Sequence, residues 1–163
     1  MVNTKAIAGL LALSAMLAAC SAGSEGETDT SAQAEATATT APAGPLAATD
    51  MSTVDGTTLA NFTGNAANGK QVFEQCRTCH VTDAGVNKIG PSLNNIIGRT
   101  AGTVPGYTYS AANAGAGFVW TKEKLFQFLE KPQRVIPQTK MIYGGLPNAQ
   151  KRADLIAYLE TPN

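Results

Sequence analysis

Apolar positions are spread unevenly along the 163-residue chain. Residues 6–19 form an uncharged run of Ala, Leu, Ile, Gly, Ser and Met. The next forty residues are small and polar, with Leu46, Met51, Val54 and Leu59 as their few larger apolar side chains. Helical patterning begins only beyond residue 61. Residues 66–77, with Val72 and Phe73 on one side, predict a helix that runs into Cys76. Thr121 is placed to cap a second helix through Lys131, in which Leu125, Phe126, Phe128 and Leu129 supply contacts and after which Pro132 follows. Asn148 is placed to cap a third, where Leu155, Ile156, Tyr158 and Leu159 recur at helical spacing. Residues 85–91 and 98–106 are rich in Gly and Pro and read as loops. No alternating run suggests a sheet and no repeat is visible, so the pattern predicts one small all-α domain over residues 63–163.

The first run is too short to cross a bilayer. Its fourteen residues would make a helix of about 21 Å, against a hydrocarbon core of roughly 30 Å. Preceded by Lys5, it reads as an export signal over residues 1–19. Its end, Leu17-Ala18-Ala19-Cys20, resembles the lipobox of bacterial lipoproteins. That resemblance implies cleavage before Cys20 and acylation of Cys20, and several acyl chains at about 0.8 kcal/mol per buried methylene would hold the protein on a membrane. Residues 20–62 then read as a disordered tether, unable to bury enough surface to offset its ordering entropy. As a coil, forty such residues would reach roughly 35 Å.

Charge separates the same three regions. The chain carries 12 Lys plus Arg and 12 Asp plus Glu, which excludes a strongly basic nucleic-acid binder. Residues 21–60 hold six acids and no base, whereas residues 61–163 hold eleven bases against six acids. A neutral composition therefore conceals an acidic tether and a cationic domain.

The helices supply few large contacts for a domain with so much loop, so something further must fill the interior. Cys76-Arg77-Thr78-Cys79-His80 is the C-x-x-C-H pattern of covalent haem c attachment. Two thiols three positions apart can reach the two vinyl groups of one porphyrin, and the adjacent imidazole then falls under the iron. Zinc would want four N or S ligands, and beyond Cys20 the chain offers only Cys76, Cys79 and His80. A thioredoxin-like pair would need a preceding strand and an α/β surround. A disulfide between such close cysteines would be a poor staple. His80 is the only histidine, so the second axial ligand must be of another type. Met141 is the only methionine inside the domain and a good soft ligand. Lys140 is the nearby rival.

These residues resemble the class I cytochrome c family, particularly its mitochondrial and alphaproteobacterial soluble members. The likeness rests on Gly69-Lys70 with Phe73, Gly90-Pro91, Gly98-Arg99, residues 105–109, Trp120, residues 136–141 and residues 152–159, beside the haem motif. It implies a fold in which the first and last helices cross at Gly69, with Phe73, Leu155 and Tyr158 packed there. It further implies that the Pro91 carbonyl accepts from His80, that Arg99, Tyr109 and Trp120 bond the buried propionate region, and that Asn113 and Thr139 form a polar network on the Met141 side. Three positions depart from the family: Phe128 stands for a tyrosine, Tyr143 for a phenylalanine, and Gln138 for a glycine.

The cytochrome c resemblance implies a single-haem electron carrier and not an enzyme, and with the lipobox resemblance it implies one tethered to a membrane and facing the bacterial periplasm, with the inner membrane favoured. Its donor would be a cytochrome bc complex and its acceptor a haem-copper oxidase or a photosynthetic reaction centre. Docking would be transient, by a monomer, through Lys70, Lys88, Arg134 and Lys140. The alternatives are an electron-input module of a larger redox enzyme, or a haem peroxidase or gas sensor in which Met141 is displaced.

Overall fold

A computed structural model describes residues 46–162. The leader expected over residues 1–19, the expected acylation site Cys20 and the part of the expected tether up to residue 45 lie outside the described residues. Among those described, no helix is long and apolar enough to cross a membrane.

Helix α1 spans Ala66–Phe73, and the Asn65 side chain accepts from the Asn68 amide at its start. The α-helical ladder stops short of the expected residue 77. Past Gln71 three- and four-residue spacing mix, with Glu74 N donating to Gln71 O, Cys76 N to Phe73 O, and Arg77 N shared between Phe73 O and Glu74 O. A further turn carries Cys79 N and His80 N onto Cys76 O. Two short helices fall where no periodicity could announce them: α2 over Ala111–Ala114 and α4 over Pro132–Val135. Between them, α3 covers Lys122–Glu130, capped by the Thr121 hydroxyl on Lys124 N at 3.0 Å. It ends one residue before the expected Lys131, whose backbone is extended (φ −153°, ψ 86°), as the residue ahead of a proline prefers. Helix α5 covers Ala149–Glu160 under an Asn148 cap on Lys151 N.

Helices α1 and α5 meet at Gly69. A Cβ there would fall on the Asp154 carbonyl and lie 2.8 Å from the Tyr158 Cβ. Phe73 and Tyr158 pack beside it with ring centroids 5.2 Å apart. The Asp154 carboxylate, buried in the same junction, accepts from Asn65 N and Gln150 Nε2. The fold is all-α, and among the described residues the one sheet pairing is an isolated antiparallel bridge between Thr100 and Val119. Bonds from Ala101 N to Phe118 O and from Trp120 N to Arg99 O flank it. They hold the loop expected at residues 98–106 against the segment that carries Trp120. Phe118, Trp120 and Phe128 then continue inward as edge-to-face neighbours, each step 4.8 Å.

The largest difference from the sequence expectation lies at residues 46–62. These were expected to belong to the tether, yet they lie along α3 and α5 as a strap. Val54 N and Asp55 N donate to the Glu130 carboxylate at 2.6 and 2.9 Å. Gln127 Nε2 donates to Ser52 O, and Lys124 Nζ donates to Asp50 O and to Gln127 Oε1. Arg152 NH2 donates to Asp55 Oδ2 at 2.7 Å. Low hydrophobicity predicted disorder, but order here comes from polar partners supplied by α3 and α5. Lys124 and Arg152, two of the eleven bases counted in residues 61–163, are both fully buried beneath it. Burial pulls the Lys124 ammonium below its ordinary pKa, and hydrogen-bond acceptors and the Phe118 ring 5.2 Å away surround it. For Asp55, burial pushes the pKa up, but hydrogen bonds from Thr57 and Arg152 outweigh it and hold the carboxylate ionised.

Gly69→Ala tests the crossing. The added methyl must separate α1 from α5, so a loss of about 2 kcal/mol is expected in denaturant unfolding of the haem-loaded protein. Gly144→Ala, where a Cβ would meet nothing within 4 Å, is expected to stay within about 0.5 kcal/mol of the parent.

Candidate functional site

Helices α3 and α5 and the connecting loops enclose a cavity of about 650 Å³, within the range of roughly 300–1,000 Å³ typical of sites that bury a small molecule or cofactor. Cys76, Cys79 and His80 reach it from the turn after α1. Met141 reaches it from the loop between α4 and α5. Pro91, Arg99, Tyr109, Asn113, Trp120 and Thr139 also line it, so the structure gathers all ten proposed haem-site residues around one space.

The His80 ring is held in one orientation. Its Nδ1 lies 2.8 Å from the Pro91 carbonyl; a carbonyl can only accept, so Nδ1 carries the proton and Nε2 keeps its lone pair. Gly90 packs against the ring, where any Cβ would overlap the imidazole. Burial lowers the His80 pKa, opposed by the Pro91 bond and aided by the Lys88 charge, which keeps the imidazole neutral. Cys76 and Cys79 are free thiols. Burial, with the neighbouring Cys79, pushes the Cys76 thiol up to about 11.

The polar lining is divided between groups that are satisfied and one that is not. Arg99 donates from NH1 to Asn94 O at 2.7 Å and from NH2 to Ser92 O at 3.0 Å. The Tyr109 hydroxyl accepts from Val104 N, and burial raises its pKa. Thr139 Oγ1 accepts from Met141 N at 3.3 Å. Asn113 Oδ1 is buried with no hydrogen-bond partner. An orphaned polar atom, two thiols and an imidazole with a free Nε2, set in a mainly apolar wall, fit an amphipathic macrocycle bound through sulfur and nitrogen. Among the described residues, no group of three or more His, Cys, Asp or Glu could hold a bare metal ion instead.

The three departures from the family have visible consequences. Phe128 packs on Trp120 and faces the cavity with no polar atom. The Tyr143 hydroxyl donates to Gln75 Oε1 at 3.1 Å, linking the Met141 loop to the segment after α1. Gln138 sits at φ 64°, the left-handed region that glycine tolerates best, and its amide donates to Gln133 Oε1. The docking candidates are dispersed. Lys140 lines the cavity edge with Nζ on Thr108 O, and Lys88 Nζ is held by Arg77 O. Lys70 lies in the last turn of α1, while Arg134 is turned to the strap, donating to Ser52 O and Oγ. Sequence reasoning missed Ile89 and Ile142, exposed apolar side chains on the cavity lining. Their only signal was isolation among Gly, Pro and polar neighbours.

The family model for cytochrome c matches residues 66–162. The chain is 53% identical over 98 residues to cytochrome c 2.1 of Caenorhabditis elegans, covering 60% of this chain and 88% of that protein. It is 52% identical over 99 residues to cytochrome c2 of Rhodopila globiformis, covering 60% and 93%. It is similar in fold to the solved structure of cytochrome cH from Methylobacterium extorquens, with a TM-score of 0.57, 37% identity, and coverage of 60% of this chain and 99% of that one.

Cofactor attachment has a direct readout. After acid–acetone extraction the wild-type protein is expected to keep one haem by mass spectrometry under denaturing conditions. A Cys76→Ala/Cys79→Ala double variant is expected to release it.

Proposed function

The chain belongs to the cytochrome c family as a single-haem electron carrier, not an enzyme, and on that footing we propose that it works as a periplasmic carrier held to the bacterial inner membrane through acylated Cys20. The observation that carries the mechanism is that His80 and Met141 line the same cavity while His80 Nδ1 is already committed to Pro91. Held by these two side chains, the iron would have no position left for a substrate. Haem c, covalently held through Cys76 and Cys79, supplies one-electron chemistry between its ferrous and ferric states. The protein's part is to hold the ligands, exclude water and present one edge. Pro91 orients the imidazole, and Thr139 bonds the Met141 amide. Trp120 and Phe128 form an apolar wall.

The partners we propose are a quinol-oxidising cytochrome bc complex as donor and a haem-copper oxidase or photosynthetic reaction centre as acceptor. Lys140 and Lys88, each pinned by a backbone carbonyl, offer positive charge near the exposed Ile142 and Ile89. Lys70 and Arg134 would add to the positive field that steers encounter. Because Lys124 and Arg152 are buried, the docking charge is smaller than a count of bases suggests. Because the strap is bonded to α3 and α5, the tether we propose does not run to residue 62.

Two experiments test these readings. Reduction by isolated bc complex and reoxidation by oxidase are expected to slow as ionic strength rises from 0.01 to 0.15 M, over which the Debye length shortens from about 30 to about 8 Å. Rates indifferent to salt would count against docking through the basic groups. Cys20→Ser is expected to move the protein from the membrane to the soluble periplasmic fraction; equal solubility of both forms would remove the anchor.

A further inference from the structure

The loop that carries Met141 has no regular structure of its own. Between the end of α4 and the Asn148 cap, its local bonds are Met141 N to Thr139 Oγ1, Tyr143 N to Met141 O, Thr139 N to Ile136 O, and two with the Gln133 side chain, which accepts from Gln138 N and donates to Thr139 O. Ile142, beside the methionine, is fully exposed. Lys140 Nζ on Thr108 O, the Tyr143 hydroxyl on Gln75 Oε1 and Leu146 N on Leu129 O tie this loop to its surroundings, and the strap adds a hold at each of its two ends. At the start, Arg134 of α4 donates to Ser52 O at 2.7 Å and to Ser52 Oγ at 2.9 Å. At the end, Arg152 NH1 donates to Leu146 O at 3.0 Å and Pro147 O at 2.9 Å. The other nitrogen of the same guanidinium, NH2, donates to Asp55 Oδ2 at 2.7 Å and Thr57 Oγ1 at 3.1 Å.

We propose that residues 52–57 form a strap that sets the position of the Met141 loop, with Asp55 as the positioning residue that acts through Arg152. Arg152 is fully buried, and its Nε has no partner. A buried guanidinium needs a compensating charge. Glu130 is 3.9 Å away, but its carboxylate already accepts from Val54 N and Asp55 N. Asp55 therefore supplies the close counter-charge. Without it, Arg152 is stabilised by moving toward water, which withdraws NH1 from the Leu146 and Pro147 carbonyls and loosens the end of the loop. Nothing on the strap lines the cavity. Its influence on the iron passes from Asp55 to Arg152 to residues 146–147 and so to Met141, and it rests on the assignment of Met141 as ligand.

Cyanide binding to the full-length ferric protein tests this, because cyanide takes the iron position that Met141 would hold and its affinity rises as the loop opens. Asp55→Ala is expected to raise cyanide affinity about tenfold and to lower the reduction potential. Asp55→Asn, which keeps an oxygen for Arg152 without the charge, is expected to raise affinity about threefold, and it decides the matter if the alanine variant does not accumulate with haem. Ile156→Val, a core change in α5 that does not face the cavity, is expected to stay within twofold of wild type. Affinities within twofold of wild type in the Asp55 variants overturn the proposal, as does an equal rise in Ile156→Val. Met141→Ala is expected to bind cyanide more tightly than either strap variant. Wild-type affinity in Met141→Ala overturns the ligand assignment, whereas tight binding there with unchanged Asp55 variants overturns the strap alone.

Discussion

Cys76, Cys79 and His80 put three bonding atoms on one turn of chain, so everything on that side of the cavity is determined locally. The opposite side has to be delivered by a residue some sixty positions later. That separation is the constraint around which the domain is organised. The turn after α1 is tied to α5 through the crossing at Gly69, and α5 begins where the Met141 loop ends. The helix that follows Met141 is thus packed on the helix that precedes the cysteines. One close approach between backbones sets the distance between the two halves of the site, and the cavity size follows from it.

The remaining walls serve the same end with different chemistry. Helix α3 has two working faces. Leu125, Phe128 and Leu129 line the cavity, while Lys124, Gln127 and Glu130, spaced by three, hold the strap. The apolar face excludes water from the site. The polar face is satisfied by chain that precedes the haem motif, so buried charge on α3 and α5 is neutralised close by instead of being left to solvent. This arrangement joins the segment nearest the proposed tether to the elements that frame the ligand loop.

Much of the site was legible because it is written locally. The C-x-x-C-H pattern needs no fold to be read, and the scarcity of competing His, Cys and Met residues made Met141 a candidate by elimination. Thr121 and Asn148 announced the starts of α3 and α5 through side chains that cap within three residues. The strap was illegible for the opposite reason. Its bonds to Glu130 and Arg152 span 75 to 97 positions, and its small polar residues carry no periodicity, so composition alone pointed to disorder. Lys124 and Arg152 were hidden in the same way, since nothing in a sequence marks a base that will be enclosed by acceptors from distant chain. Helices α2 and α4, four residues each, are too short for any repeat to show.

The central claim is that the iron is held between His80 from the local turn and Met141 from the distant loop. Iron K-edge X-ray absorption on the purified protein in both oxidation states reads the axial atoms directly. The expected result is one thioether sulfur and one imidazole nitrogen in addition to the four porphyrin nitrogens, in the ferrous and the ferric forms alike. A first shell without sulfur in either state, made of nitrogen or oxygen alone, would contradict it.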